Sequence, residues 1–199
     1  YKRQPSTYVP LNATLGFKAS PVNGLWFNVF GGYRISKDEL FCNLVDADGY
    51  YFTHFLQDKA KTAYGGAELK YGYKDWFDAS LKGTFYSWKT DNENEELYLV
   101  TKPKFELNFY AEAKVFEGLK VNLGYEYVQR KEYVIEEGNS SRDFGLGNIS
   151  NLSVGASYTF LKDLSVFGRV NNLLNKQYYY EYGYPAEKLN VLAGLSLAF

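Results

Sequence analysis

The stretch KFELNFYAEAKVFEGLKVNLGYEY, residues 104–127, decides how the whole chain is read. Its odd positions are apolar: Phe105, Leu107, Phe109, Ala111, Ala113 and Val115. Its even positions are Lys104, Glu106, Asn108, Tyr110, Glu112 and Lys114. Successive side chains on extended backbone point to opposite faces, so this alternation predicts a strand. A second strand follows, with Leu119, Val121, Leu123, Tyr125 and Tyr127 opposing Lys120, Asn122, Gly124 and Glu126. Val115 and Leu119 share a face, so a loop of odd length must join them. Phe116-Glu117-Gly118 supplies a three-residue hairpin loop with glycine in its left-handed third position.

Working outward, the same split runs through residues 9–20, 25–36, 63–71, 77–87 and 152–160 and through the final stretch to Phe199. The period marks about nine to ten long strands. Tight connections at 21–24, 72–76, 116–118 and 161–163 alternate with longer, more polar ones at 37–60, 90–96, 135–147 and 172–188. Part of 37–60 reads as strand continuing outward to a turn at Asp46-Ala47-Asp48-Gly49. Short turns at one end and long loops at the other is the asymmetry of outer-membrane barrels. Aromatics gather beside the tight turns (Trp26, Trp76, Phe77, Phe116, Phe160) and again further along the strands (Tyr33, Tyr64, Tyr86, Trp88, Tyr127). The two groups lie roughly ten residues apart, the length of a tilted strand crossing an apolar band of about 25 Å.

Composition agrees. Of 199 residues, 46% are hydrophobic, and 20 Tyr, 15 Phe and 3 Trp supply an unusual aromatic load. The net charge of −1 gives no pull toward nucleic acid. One cysteine, Cys42, excludes an internal disulfide framework. No apolar run is long enough for a transmembrane helix. The chain holds no Met and shows no signal peptide, so a processed product or a segment of a longer protein is expected. The internal Lys37-Asp38-Glu39-Leu40 is not an address, because retention signals act at the C-terminus.

Competing readings fit less well. A soluble sandwich also alternates, but its strands average five or six residues and its aromatics sit mid-core. A propeller blade needs four strands per repeat, where each hairpin here has two long ones. Asp46, Asp48 and Gly49 match the opening of a calcium loop, yet Gln57 stands where the closing Glu is required. Asp91, Glu93, Glu95 and Glu96 read as a solvated loop, and Asn12, Asn139, Asn148 and Asn151 fit the N-x-Ser/Thr pattern without weight. His54 is the single histidine, and no nucleophile motif surrounds any serine, so no enzyme, cofactor or metal site is expected.

The C-terminal run Asn171-Asn172-Leu173-Leu174-Asn175-Lys176-Gln177-Tyr178-Tyr179, then Tyr184-Pro185 and a strand closing on Phe199, resembles the end of TonB-dependent outer-membrane receptors of a Bacteroidetes-like type. Leu174 replaces the family's usual Phe, and Glu187-Lys188 stands where Gly-Arg is common. The specific motif covers about the last thirty residues.

The resemblance implies an all-β, antiparallel up-and-down transmembrane barrel of about 22 strands, of which residues 1–199 are the C-terminal segment without the plug domain. It implies a transporter in the bacterial outer membrane that imports a scarce ligand: a siderophore, cobalamin or a glycan. A small stand-alone barrel with a structural or adhesive role is the alternative. Implied partners are outer-membrane lipid, the barrel-assembly machinery, TonB through the upstream part, and the small-molecule or glycan ligand. An odd strand count that starts at the long-loop end also predicts a missing upstream strand.

Two groups of residues carry these expectations. On the last strand Val191, Ala193, Leu195, Leu197 and Phe199 face lipid, and the resemblance makes the terminal aromatic an assembly signal. In the last long loop Tyr178, Tyr179, Tyr180, Tyr182 and Tyr184 form a dense cluster. They suit stacking on a ligand ring and equally suit a loop packed on its neighbours. Lys82, Glu106, Glu112, Lys120, Glu126 and Arg169 all fall on the polar parity, and Glu112 with Lys120 is expected to pair across the 116–118 turn.

Overall fold

Nine long strands form one antiparallel, up-and-down sheet in the computed structural model. It describes residues 7–44, 52–90, 95–131, 134–137, 140–143, 145–161, 164–181 and 184–197. The strands are β1 (Tyr8–Val22), β2 (Leu25–Leu44), β3 (Phe52–Tyr73), β4 (Phe77–Thr90), β5 (Pro103–Phe116) and β6 (Leu119–Arg130). Then come the short hairpin β7 (Val134–Glu137) and β8 (Ser140–Asp143), followed by β9 (Ile149–Leu161) and β10 (Leu164–Asn171). The last loop holds β11 (Tyr179–Glu181) and β12 (Tyr184–Pro185), and β13 (Asn190–Leu197) completes the sheet. The order is β1-β2-β3-β4-β5-β6-β9-β10-β13, an open arc of barrel wall with β1 and β13 at its edges.

The alternation fixes the register. Phe109 lies opposite Leu81 on one side and Tyr125 on the other, while Asn108 lies between Lys82 and Glu126. Slipping either pairing by one residue would put charges on the apolar face. That face stays bare: Leu15 is 84% and Leu195 73% exposed, with Phe17, Val29, Phe85 and Val191 also uncovered. An apolar surface spanning nine strands is not a face for water, and lipid is the solvent it matches. Aromatics ring its tight-turn end: Tyr71 meets Phe77, Tyr73 meets Trp76, and Tyr158 meets both Phe116 and Phe160.

Three turns confirm the hairpin chemistry. Gly24 and Gly118 adopt φ of 81° and 84°, a conformation that glycine takes without steric cost, and Lys74 takes φ 53° in the 74–76 turn. The 116–118 connection is one residue shorter than expected: Phe116 pairs with Leu119, so Glu117-Gly118 makes the turn, and a bulge between Lys114 and Phe116 takes up the odd residue; Lys120 reaches Glu112 at 3.0 Å as expected.

The strand expected to continue outward within 37–60 does so, and it takes up most of that stretch, since β2 runs to Leu44 and β3 starts at Phe52. Other expectations need correcting. The 90–96 connection contains a helical turn, α1 (Glu95–Val100). Of the second aromatic group, Tyr33 and Tyr127 share the apolar face, but Tyr64, Tyr86 and Trp88 point inward. Tyr64 pairs with Tyr86, and both share parity with Thr62, Thr84 and Lys82. Trp26 also faces inward, beneath the Lys70 ammonium at 4.9 Å. Phe199, Tyr182, Asp91, Glu93, Asn139 and the 46–49 turn lie outside the described residues, as do the side chains of Cys42, His54, Glu95 and Glu96.

Among the described residues, burial is confined to the inner face and the long-loop end. One cluster joins Phe41, Ala60 and Tyr98; another joins Val128, Ile149 and Tyr178. Between Ser36 and Phe41 the buried parity of β2 switches from even to odd, and Asp38 sits at the switch with φ 55°. The switch turns Glu39 and Phe41 inward, where α1 packs.

Candidate functional site

The inward face of β3 to β6 carries a band of phenols and carboxylates. Tyr64 lies 6.3 Å from Tyr86, and Tyr86 stacks on Trp88 at 6.0 Å. Trp88 meets Tyr98 of α1 edge-on at 6.2 Å, so the ladder climbs from mid-wall to the long-loop end. The Tyr64 hydroxyl shares a hydrogen bond with Thr14, and Tyr86 donates to Glu106 at 2.8 Å. Period two makes such a ladder, because every second residue on adjacent strands lands on one face at neighbouring heights.

The ladder is capped by a latch. Glu39 accepts hydrogen bonds from the Tyr98 hydroxyl at 2.9 Å and from Ser36 Oγ at 3.0 Å, and pairs with the Lys102 ammonium. Lys102 also lies over the rings of Tyr98 (4.4 Å) and Trp88 (5.6 Å). Burial pushes the Glu39 carboxyl up, but the Lys102 ammonium and the two hydroxyls outweigh it and hold the group below its ordinary value. The Tyr98 phenol is pushed far up by burial and by the Glu39 charge, so it stays a neutral donor.

The sign of the Glu39 shift sets a pH dependence. A carboxyl depressed by folding contributes in full above its ordinary range, and that contribution is lost as pH falls through the folded value. α1 is therefore expected to loosen in acid, below the ordinary titration range of a glutamate carboxyl. Trp88 fluorescence in a Trp26→Phe/Trp76→Phe background should report an acid transition that Glu39→Gln abolishes. A transition unchanged in Glu39→Gln would sink the assignment.

The second half of the site is the last loop, and two asparagines build it. Asn172 is 1% exposed and has φ 49°. Its Nδ2 donates to the carbonyls of Lys176 (2.7 Å) and Glu187 (3.1 Å), while its Oδ1 accepts from the Lys176 N–H at 3.2 Å. Its own N–H donates to Asn151 Oδ1 at 3.1 Å. Asn175, at φ 51°, donates its N–H to the Asn172 carbonyl and accepts from the Leu189 N–H. Asparagine tolerates the left-handed region and carries both a donor and an acceptor, so these positions need it twice over.

The tyrosines divide. Tyr178 is buried against Val128 and Ile149, and is a packing residue. Tyr179 is half-buried, with its carbonyl held by Arg130 at 2.6 Å and its hydroxyl by Gln177 at 3.1 Å. Tyr180 meets Tyr178 edge-on at 5.5 Å and donates to Glu126 at 2.9 Å. Burial, then the Glu126 hydrogen bond, raises its phenol well above the ordinary value, so it too remains a neutral donor. Tyr184 is exposed at the loop surface. Glu126 thereby joins the loop to the inner wall, where it neighbours Asn108 and Asn151. Val191, Ala193, Leu195 and Leu197 lie on the outer face, opposite Val170, Gly168, Val166 and Leu164.

The arrangement offers aromatic faces, neutral hydroxyls and carboxylates to a polar ligand carrying rings. Among the described residues no three His, Cys, Asp or Glu side chains come together to hold a metal ion. Sequence reasoning missed the ladder and the latch. Parity carried a signal for Tyr64 and Tyr86, since they alternate with apolar residues; Glu39, Tyr98 and Lys102 carried none.

No protein-family model matches the chain, and no curated protein matches it by sequence. Solved structures do. The chain is similar to the pyoverdine outer membrane receptor FpvA from Pseudomonas aeruginosa, with a TM-score of 0.69 at 16% identity over 94% of this chain and 29% of that one. It is similar to the siderophore receptor PirA from Acinetobacter baumannii (TM-score 0.67, 16% identity, 94% of this chain and 31% of that). The ferric enterobactin receptor PfeA from Pseudomonas aeruginosa gives a TM-score of 0.66 at 17% identity over 97% of this chain and 31% of that. The chain spans less than a third of each of these receptors, and it has the fold of their barrel wall.

Proposed function

We propose that residues 1–199 are the C-terminal barrel segment of a TonB-dependent outer-membrane transporter, with the plug domain upstream, and that its ligand is a ferric siderophore. The observation that carries this reading is the nine-strand wall, bare and apolar outside and lined inside by the Tyr64–Tyr86–Trp88 ladder and Glu106. The three named neighbours are siderophore receptors, which favours that ligand over cobalamin or a glycan. On this reading lipid covers the outer face, the barrel-assembly machinery receives the last strand, and energy arrives from TonB through the upstream part. Tyr180 and Tyr184 then offer rings and hydroxyls to an incoming ligand, while Tyr178 holds the loop. The chain does transport work and performs no catalysis.

Uptake of iron-loaded ferric enterobactin and ferric pyoverdine by iron-starved cells tests the reading. The full-length protein should support uptake of at least one, uptake should stop when the proton-motive force is collapsed, and Tyr180→Ala/Tyr184→Ala should weaken it by about tenfold, the loss of two stacking contacts. Uptake that survives collapse of the proton-motive force would exclude TonB coupling.

A further inference from the structure

The latch at the long-loop end is built around an ammonium group. The rings of Trp88 and Tyr98 meet edge-on at 76°, so they stand as two walls of a corner. The Glu39 carboxylate closes the third side. The Lys102 ammonium occupies the corner, 4.4 Å from the Tyr98 ring centre and 5.6 Å from that of Trp88, and donates to Glu39 Oε1. Both rings are within cation–π range, which extends to about 6 Å. Each wall is fixed by a contact outside the seat. Trp88 Nε1 donates to the Pro103 carbonyl at 2.7 Å, Glu39 Oε2 accepts from Ser36 at 3.0 Å, and Tyr98 packs edge-on against Phe41 at 5.4 Å.

Lys102 does not use all that this seat offers. Gln57 lies directly opposite Glu39 on β3 and is 0% exposed. Cross-strand partners have Cβ atoms about 5 Å apart, so the two inward side chains reach the same space. Gln57 Nε2 donates to the Lys59 carbonyl at 3.0 Å, but its Oε1 is buried and meets no donor among the described residues. A buried acceptor without a donor is destabilising, so its presence calls for a reason. An ammonium carries three N–H donors, and Lys102 spends one of them on Glu39. The seat also stands where a ligand arrives, at the top of the Tyr64–Tyr86–Trp88 ladder on the inner face.

We propose that the corner of Glu39, Gln57, Trp88 and Tyr98 is a ligand subsite for a primary alkylammonium, that Lys102 fills it in the unloaded protein, and that the imported ligand carries such a group and takes the lysine's place. The ligand class rests on the import reading above; the seat itself does not. The rings select a cation over a neutral amide or hydroxyl. The carboxylate and the Gln57 acceptor select a cation with N–H donors, a primary ammonium over a quaternary one. An ammonium from the lumen lacks the tether of Lys102 and donates to Glu39 and Gln57 together. Tyr98 stays in place during the exchange, because it bonds Glu39 Oε2 while Lys102 bonds Oε1.

Chemical rescue of the full-length protein tests the seat. Tyr98 is 0% exposed, so chymotrypsin should cut after it slowly in wild type and about tenfold faster in Lys102→Ala, where Glu39 loses its ion-pair partner. n-Butylammonium, which has the lysine's chain and charge, should restore slow cleavage of Lys102→Ala. n-Butanol should not, and Glu39→Gln/Lys102→Ala should respond to neither. Each variant is first checked for heat-modifiable migration, and Lys102→Gln carries the test if the alanine variant does not fold. Cleavage of the variant at the wild-type rate, or an equal response to amine and alcohol, overturns the seat. Ferrioxamine B, a ferric trihydroxamate siderophore with one free primary ammonium, tests the ligand class against its N-acetylated form. Wild type should bind the free amine about tenfold more tightly, Lys102→Ala should widen that preference, and Glu39→Gln should erase it. Equal affinity for the two forms, or binding of neither, overturns the ligand class. Energised uptake of both forms without preference leaves the transport reading standing. Amine rescue without siderophore uptake sinks the transport reading and leaves the seat.

Discussion

Phe109→Arg should destabilise the barrel folded in lipid by about 2–4 kcal/mol, and Asn108→Arg, one residue away, should leave its stability nearly unchanged. Phe109 sits mid-strand in β5 on the outer face, between Leu81 and Tyr125. A guanidinium there has only hydrocarbon around it, at a cost of about 2–4 kcal/mol near the midplane. Asn108 faces inward between Lys82 and Glu126, where a cation meets one like charge, one opposite charge and water. Its replacement should cost less than about 1 kcal/mol. The measurement is urea unfolding of the full-length protein folded into lipid vesicles, alongside heat-modifiable migration. Equal loss at both positions would contradict the assignment of faces, since one residue is all that separates lipid from lumen.

Asn172→Ala opens the last loop. The substitution removes three side-chain hydrogen bonds from a fully buried position and strands the carbonyls of Lys176 and Glu187 and the Lys176 N–H. It also puts alanine at φ 49°. Unsatisfied buried groups cost about 1–3 kcal/mol each, and partial rescue by water leaves about 3–5 kcal/mol in total. Asn172→Gly relieves only the backbone share and should recover about 1 kcal/mol. Limited proteolysis reads the result: wild type resists cleavage across 172–188, the alanine variant is cut fast, and the glycine variant falls between. Cleavage at the wild-type rate would mean the loop is held elsewhere, by Tyr178 in its pocket.

The residues differ in how legible they were. Phe105 through Val115 announced their face because period two is a local property of extended backbone. The left-handed Gly118 and the Glu112–Lys120 pair followed from counting, while the loop length did not, because a bulge before Phe116 absorbs the odd residue that a three-residue loop was expected to hold. Tyr64, Tyr86 and Trp88 lie at the distance from the tight turns that suits a second interface belt, but their parity with Thr62, Thr84 and Lys82 turns them inward. The α1 latch was invisible, because Glu39 and Lys102 lie 63 residues apart and neither sits in a repeating pattern. For Asn172 the motif was legible as a family resemblance, while the reason for it, a left-handed backbone tied by its own amide, required coordinates.

By itself the sequence determined the strands, their faces, the tight turns and the side that meets lipid. These depend on neighbours in the chain and on the burial preference of each side chain. Tertiary structure decided which tyrosines pack and which project, where β2 reverses its buried parity, and which rings and carboxylate surround the Lys102 ammonium. Those outcomes depend on which strand lies beside which and at what height. That placement arises only when long-range pairing sets all nine strands in register.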